Sequence, residues 1–233
     1  MQKPLFRGFC FLGWLIYFML FLIEATLLFF TLFSDPAFDH SRAVDLTSKN
    51  HSVRIYGGYE SRPLMSFVLL GDVRREYHHT SISGIDLSRT LKHNVFDRPI
   101  DVSLRASFLR YNEQGFQTNH NQANLFLMAH YKTHYKNLPV RFFIGEGLSL
   151  SGQVPYVEGR ETRRLSERDS RLMNYLNVGF DFRLGDLTGN DALNNIRLGL
   201  ADSHRSGAYK KVKWFNYTQG GSDFVTLFVE YDF

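Results

Sequence analysis

The chain has 233 residues, of which 44% are hydrophobic, 15% aromatic and 21% charged, with a formal net charge of +4. This length fits one domain of ordinary size. The basic residues are scattered and accompany no nucleic-acid-binding motif, which argues against a nucleic-acid partner. The single cysteine, Cys10, excludes an internal disulfide and any cysteine-based metal site.

The N-terminus combines basic residues with a long apolar run. Lys3 and Arg7 precede residues 9–33, which are apolar except for an interruption at Glu24. A basic start followed by an apolar run is typical of an export signal, although about 18 apolar residues also suffice to span a bilayer. Residues 1–43 are therefore expected to be either a cleaved signal peptide or an uncleaved hydrophobic anchor.

Two positions fit signal cleavage. Ser41 and Ala43 place small residues where a signal peptidase needs them, and Ala25 is the alternative. Cleavage at either position removes Cys10 and leaves a cysteine-free domain, predicted over residues 44–233. Such a domain suits an oxidising compartment without needing disulfides.

Beyond residue 50 the hydrophobicity alternates with period two. In residues 99–110, PIDVSLRASFLR, apolar side chains from Ile100 to Phe108 alternate with polar ones from Asp101 to Ser107. The same pattern recurs in residues 172–184, 195–201 and 225–233. Period two over these lengths predicts strands with one apolar and one polar face.

Three features favour a transmembrane barrel over a secreted β-sandwich, which is the alternative. The strands are about ten residues long or more, as an outer membrane requires, and the chain ends in Phe233. The polar faces carry charges at mid-strand, namely Arg105, Asp181, Arg183, Arg197 and Glu230. The predicted fold is all-β, an eight-stranded antiparallel transmembrane β-barrel behind an N-terminal hydrophobic export segment. A barrel of this size has an interior filled by side chains.

The eight strands are expected at residues 63–71, 78–91, 99–111, 122–135, 139–151, 170–184, 195–206 and 222–233. Residues 52–59, VRIYGGYE, also alternate and are interpreted as either a strand or a plug. With the C-terminus in the periplasm, two outside loops, 152–169 and 207–221, carry candidate ligands for lipopolysaccharide phosphates: Arg160, Arg163, Arg164, Lys210 and Lys211. A merely solvated basic loop is the alternative.

The stretch DSHRSG, residues 202–207, continues an outward-facing stripe. Counting by twos from Leu200 reaches Asp202, His204 and Ser206, while Asp223 on the last strand falls near the same rim. A serine hydroxyl becomes a nucleophile when an imidazole takes its proton, and a carboxylate can hold that imidazole in place. The alternative interpretation is a polar strand end at the level of the lipid headgroups.

Four segments carry a resemblance to the PagL-type lipid A 3-O-deacylases: RFFIGEGLSLSG (141–152), LMNYLNVGFDF (172–182), RLGLADSHRSG (197–207) and GGSDFVTLFVEYDF (220–233). They span roughly the C-terminal 40% of the chain. The resemblance implies an enzyme of the Gram-negative outer membrane that hydrolyses an ester-linked acyl chain of lipid A, without metal or cofactor. It implies Ser206 as nucleophile, His204 as base and Asp223 as acid. Asp202, two residues before His204 on the same face, is an alternative acid that the family pattern does not predict.

The sequence departs from that family at two positions. Gly207 replaces an asparagine associated with the oxyanion, which leaves only its backbone N–H as a donor. Asp223 replaces a longer glutamate. A non-enzymatic barrel that is structural or binds lipopolysaccharide therefore stays open, as does a narrow channel or adhesin. The sequence does not decide whether the protein forms a homodimer.

Four further polar residues have a predicted position: Glu146, His130, His134 and Glu158. Glu146, between two glycines, falls on the lipid-facing register, where lipid disfavours charge. A bulge is expected to turn it into the lumen, and a functional role on the outer face is the alternative. His130 and His134 share a strand face and are expected to make lumen hydrogen bonds. Glu158 is expected in an outer loop near substrate.

Overall fold

The computed structural model describes residues 49–62, 65–136, 138–208 and 210–233. The predicted export segment, residues 1–43, lies outside the described residues, as does its cleavage site. No helix in the described part of the chain has the length and apolar character needed to cross a membrane.

Eight antiparallel strands form a closed barrel in which each strand pairs with the next and β8 pairs back with β1. The strands are β1 His51–Glu60, β2 Ser81–Lys92, β3 Ile100–Asn112, β4 His120–Tyr135, β5 Leu138–Ser151, β6 Leu172–Arg183, β7 Ile196–Ser206 and β8 Gly221–Asp232. Closure confirms the predicted barrel and excludes the β-sandwich. Among the described residues, three short α-helices lie between strands: α1 Met65–Leu69, α2 Tyr156–Ser166 and α3 Leu184–Thr188.

The first strand differs from its prediction. The strand expected at residues 63–71 is wrong, because that region contains helix α1 instead. The alternative strand at residues 52–59 is confirmed as β1. Gly57 and Gly58 interrupt the alternation of apolar and polar side chains in β1. Packing explains why residue 58 is a glycine. A Cβ on Gly58 would collide with the carbonyl oxygen of Val225 across the β1–β8 seam.

The outer wall of the barrel is apolar. Large exposed side chains cover it on several strands, including Ile55, Leu87, Phe108, Leu125, Leu200 and Leu227. In a soluble protein this much contiguous apolar surface would cause aggregation, whereas a lipid-facing barrel requires it. The wall is therefore that of a membrane-spanning barrel.

The lumen contains a network of buried charges. The Glu230 carboxylate lies 2.7 Å from Arg54 Nε, 2.8 Å from Arg105 Nη2 and 3.0 Å from Arg141 Nη2. Arg141 also pairs with Asp181 at 2.8 Å. These side chains and a buried, largely aromatic cluster together occupy the barrel interior, which argues against an open channel. They also confirm that mid-strand charges mark the inward face.

The two ends of the barrel differ. One end, called here the loop end, carries the long connections 61–80, 113–119, 152–171 and 207–220. The opposite, turn end carries the connections 93–99 and 184–195 together with Phe233, which bonds to the His51 backbone. In the lumen, the His130 ring bonds to Ser103 Oγ at 3.0 Å, as expected for a structural histidine.

Candidate active site

The β7–β8 hairpin places the DSHRS stretch at the loop end. Its register is regular, with His204 opposite Asp223 and Ser206 opposite Gly221. Ser203 and Arg205 face the lumen, where Ser203 bonds to Tyr175 at 2.9 Å. Asp202, His204 and Ser206, which alternate with these two residues along β7, therefore face outward, and the predicted register is confirmed.

His204 and Asp223 form a direct pair. Asp223 Oδ1 lies 2.7 Å from His204 Nδ1, and the two side chains are 19% and 9% exposed. Aspartate thus reaches the imidazole despite being shorter than glutamate. Holding Nδ1–H on a carboxylate leaves Nε2 as the nitrogen that can accept a proton. This is the orientation that a general base requires.

Asp202, the alternative acid, has a different environment. Neither of its carboxylate oxygens has a hydrogen-bond partner among the described residues. Its cross-strand neighbours are Val178 and Val225, and helix α1 packs against β7. Of the two candidate acids, the structure therefore joins only Asp223 to the imidazole.

Ser206 lies two residues beyond His204 on the same face. Two such positions on a strand are about 7 Å apart at Cα, which lets the side chains meet. In the part of the chain that the structure describes, no hydrogen bond joins Ser206 to His204. Bonds between a nucleophile and its base are often loose without substrate, so the arrangement fits a serine nucleophile that engages on binding.

The backbone of Gly207 takes part in the hydrogen bonding of the β7–β8 hairpin. Its N–H donates to the Gly220 carbonyl at 3.1 Å, so in this conformation it does not point at a substrate. A Cβ on Gly207 would collide with the carbonyl oxygen of Thr218. The loop 207–220 therefore excludes a side chain at this position, and a donor to an oxyanion at Ser206 would have to come from another residue.

The collision gives a direct prediction for Gly207→Asn. Because the Thr218 backbone must move, we expect this variant to lose about 1–3 kcal/mol of unfolding free energy and to gain no activity. Urea unfolding of the purified barrel in detergent micelles measures the loss. Gly189→Asn is the matched control, since Gly189 has φ +68° and open space around it, a conformation that asparagine adopts. Equal stability of both variants would contradict the steric argument.

Helix α2 covers the loop end beside the pair. Glu158 on this helix is fully buried, accepts a hydrogen bond from Ser222 Oγ at 2.9 Å and lies 3.6 Å from Arg205 Nε. Burial raises the pKa of Glu158. Burial, followed by the charge of Asp223, also raises the pKa of Glu161. Glu158 therefore closes the lumen and does not face a substrate, while Glu161 borders the His204–Asp223 pair.

The predicted lipopolysaccharide ligands fall into three groups. Arg160 and Arg164 line a cavity of about 410 Å³ that reaches Asp223. Arg163 lies 2.6 Å from Asp169, which neutralises it locally. The remaining two, Lys210 and Lys211, lie on the loop 207–220 and are not among the described residues that line this cavity. Only the first group is therefore placed beside the candidate site.

The same cavity contains basic and aromatic groups that the sequence did not single out. Arg62, Tyr77 and His78 line it, and Arg160 Nη1 lies 2.8 Å from His78 Nε2. These residues come from loop 61–80, where the sequence predicts a strand at 63–71 and the start of the next strand at residue 78.

The predicted inward turn of Glu146 at a bulge is wrong. No register shift occurs here, so Glu146 faces outward between Leu127 and Leu176 instead of turning into the lumen. Its flanking glycines have another purpose, since a Cβ on Gly147 would collide with Phe126 across the strand pair. The Glu146 carboxyl group interacts with the side chain of Asn174 on β6.

No group of three or more histidine, cysteine or acidic side chains is placed to hold a metal ion anywhere in the described ranges.

The chain is similar to known proteins in its fold. No protein-family profile matches the sequence, and no curated protein matches it either. Among solved structures, the outer-membrane enzyme PagL is similar at a TM-score of 0.49 and 11% identity, over 77% of this chain and 98% of that one. The N-terminal β-barrel domain of OprF from Pseudomonas aeruginosa is similar at 0.44 and 13%, over 79% and 98%. At such distances neither likeness says anything about chemistry.

Proposed function

We propose that this protein is an outer-membrane esterase that hydrolyses an ester-linked acyl chain of lipid A. The observation that carries the proposal is the 2.7 Å His204–Asp223 pair with Ser206 on the same outward face. A base and nucleophile on a lipid-facing wall can meet only a membrane lipid. Lipid A in the outer leaflet supplies acyl esters at the level of the loop end.

The reaction follows from the side chains in place. Ser206 Oγ attacks the ester carbonyl while His204 Nε2 takes its proton, and Asp223 stabilises the imidazolium. The tetrahedral intermediate collapses, and His204 returns the proton to the departing sugar hydroxyl. Water, activated by His204, then cleaves the acyl-enzyme ester and releases the fatty acid and free Ser206.

The cavity beside Asp223 offers a place for the sugar and phosphate headgroup. Arg160 and Arg164 supply positive charge there, and guanidinium groups match phosphate geometry well. The acyl chains would lie along the apolar wall below. This division between a charged loop end and an apolar wall suits a lipid with a phosphorylated headgroup.

Mass spectrometry of lipid A from Gram-negative cells tests the proposal. Cells expressing the wild-type protein are expected to lose one acyl mass from lipid A, whereas cells expressing Ser206→Ala at equal outer-membrane levels keep it. Unchanged lipid A with a folded, surface-located wild-type barrel would refute this substrate.

A second prediction distinguishes the two candidate acids, Asp223 and Asp202, by the effect of their removal on kcat. Asp223→Asn is expected to lower kcat about 10⁴-fold, because the imidazole loses the partner that fixes its tautomer. Asp202→Asn is expected to change kcat less than tenfold, since Asp202 makes no bond to His204 in the structure. Release of fatty acid from lipid A in mixed micelles measures both. The reverse ranking would assign the acid role to Asp202.

A barrel that binds lipopolysaccharide without cleaving it is the second candidate. It is favoured by the engagement of the Gly207 N–H with Gly220, which removes the oxyanion donor expected there. Binding of lipopolysaccharide that survives in Ser206→Ala, together with unchanged lipid A in cells, would support it.

A further inference from the structure

The outer wall carries another polar side chain next to Ser206. Asn174 on β6 lies directly opposite Ser206 on β7. Its chain neighbours Met173 and Tyr175 are buried in the barrel, so Asn174 faces outward as Ser206 does. Directly opposed side chains have Cβ atoms about 4.5–5.5 Å apart. The Asn174 amide is thus within reach of a carbonyl attacked by Ser206.

Glu146 fixes the orientation of this amide. Its carboxyl group interacts with the Asn174 side chain, and an ionised carboxylate can only accept a hydrogen bond. The NH₂ group of Asn174 must therefore be the end that faces Glu146. Since that group carries two hydrogens, one bonds to Glu146 and the second is available to a ligand.

A donor is needed at this place. The tetrahedral intermediate of acyl transfer carries a negative oxygen, and its stabilisation by preorganised donors is a large part of catalysis. Gly207 cannot supply one in the observed conformation, because its N–H bonds to Gly220 and its side-chain position is occupied by Thr218. The other residue opposite Ser206, Gly221, has no side chain.

We propose that Asn174 is a catalytic residue that donates a hydrogen bond to the oxyanion, and that Glu146 positions it. This inference rests on the proposed esterase function. It assigns to the neighbouring strand β6 the side-chain donor that Gly207 lacks. It also explains a carboxylate on the lipid-facing wall, where an unpartnered charge would be costly.

The test compares Asn174→Ala with wild type in mixed micelles of lipid A and detergent. We expect kcat to fall about 10²-fold or more with KM changed less than threefold, because the bond forms only as charge develops. Inactivation by a fluorophosphonate should slow similarly, since the phosphonyl oxygen uses the same donor. Asn174→Asp keeps the shape without the N–H groups and should be equally slow.

Asn121→Ala is the matched control, since Asn121 is an exposed, outward-facing asparagine on β4, and it should keep wild-type kcat. Heat-modified mobility in gels shows whether each variant is folded. A folded Asn174→Ala with wild-type kcat would overturn this inference and leave the esterase intact. A folded wild-type barrel without any turnover would instead overturn the proposed function, and the inference with it.

Glu146 needs a readout beyond loss of activity. Glu146→Gln keeps an acceptor oxygen for Asn174 and should retain most of kcat, whereas Glu146→Leu should lower kcat about tenfold at unchanged KM. If Glu146→Leu lowers kcat equally in the Asn174→Ala background, the two residues act independently and the positioning role is wrong.

Discussion

Ser206→Ala and His204→Ala are each expected to lower ester hydrolysis at least about 10⁴-fold, since a nucleophile and its base act as one unit. The double variant should be hardly slower than either single one for the same reason. Initial rates of fatty-acid release from lipid A by the purified barrels measure all three. The hydrogen bond that aligns His204 with Asp223 makes this coupling the expected behaviour.

Ser83→Ala is the control for these variants. Ser83 is an exposed serine on β2, away from the β7–β8 hairpin, and it should turn over like wild type. If the losses in Ser206→Ala and His204→Ala multiply in the double variant, the two side chains do not act as nucleophile and base of one reaction.

Glu230→Ala is expected to have the largest effect on stability. The Glu230 carboxylate is 1% exposed and pairs with Arg54, Arg105 and Arg141 inside the barrel. Its removal leaves buried guanidinium groups without their anion. We therefore expect the free energy of unfolding to fall by about 3–5 kcal/mol. Urea unfolding in micelles, followed by tryptophan fluorescence and gel mobility, measures the loss.

Asp169→Ala provides the comparison, because the Arg163–Asp169 pair is exposed at the loop end and exposed pairs contribute below about 1 kcal/mol. Unfolding midpoints of Glu230→Ala and Asp169→Ala that coincide would show that the lumen network does not hold the barrel together.

The hairpin of the candidate site was predictable because its register is regular. Between Ile196 and Ser206 no bulge interrupts the alternation, so counting by twos placed His204 on the outer wall. The distance from His204 to Asp223 was not predictable, since it depends on side-chain reach across two strands. The catalytic roles of these residues stay predictions.

The errors arose where glycine and loop packing override the alternating pattern. Gly57 and Gly58 interrupt the alternating pattern of β1, so that this strand was predicted only as an alternative. The apolar stretch after it has the composition of a strand but forms helix α1. The glycines around Glu146 suggested a bulge, although they accommodate Phe126 in the lumen. A single sequence does not reveal which neighbour a glycine accommodates.

Sequence reasoning also did not identify Asn174 as a candidate site residue. Its place opposite Ser206 depends on the β6–β7 register, which a connection of a dozen residues does not fix from sequence. Its signal is a polar residue on the lipid-facing register of a strand, two positions before Leu176. The same signal marked Glu146, and both belong to one polar patch around Ser206.

Covalent labelling of the purified barrel with a fluorophosphonate tests the central claim most directly, because it needs no knowledge of the acyl position. Peptide mass spectrometry should find the phosphonyl group on Ser206 in the wild-type protein and no adduct in His204→Ala. A folded wild-type barrel that stays unlabelled, or carries the label on another serine, would contradict an activated Ser206 and favour the binding barrel.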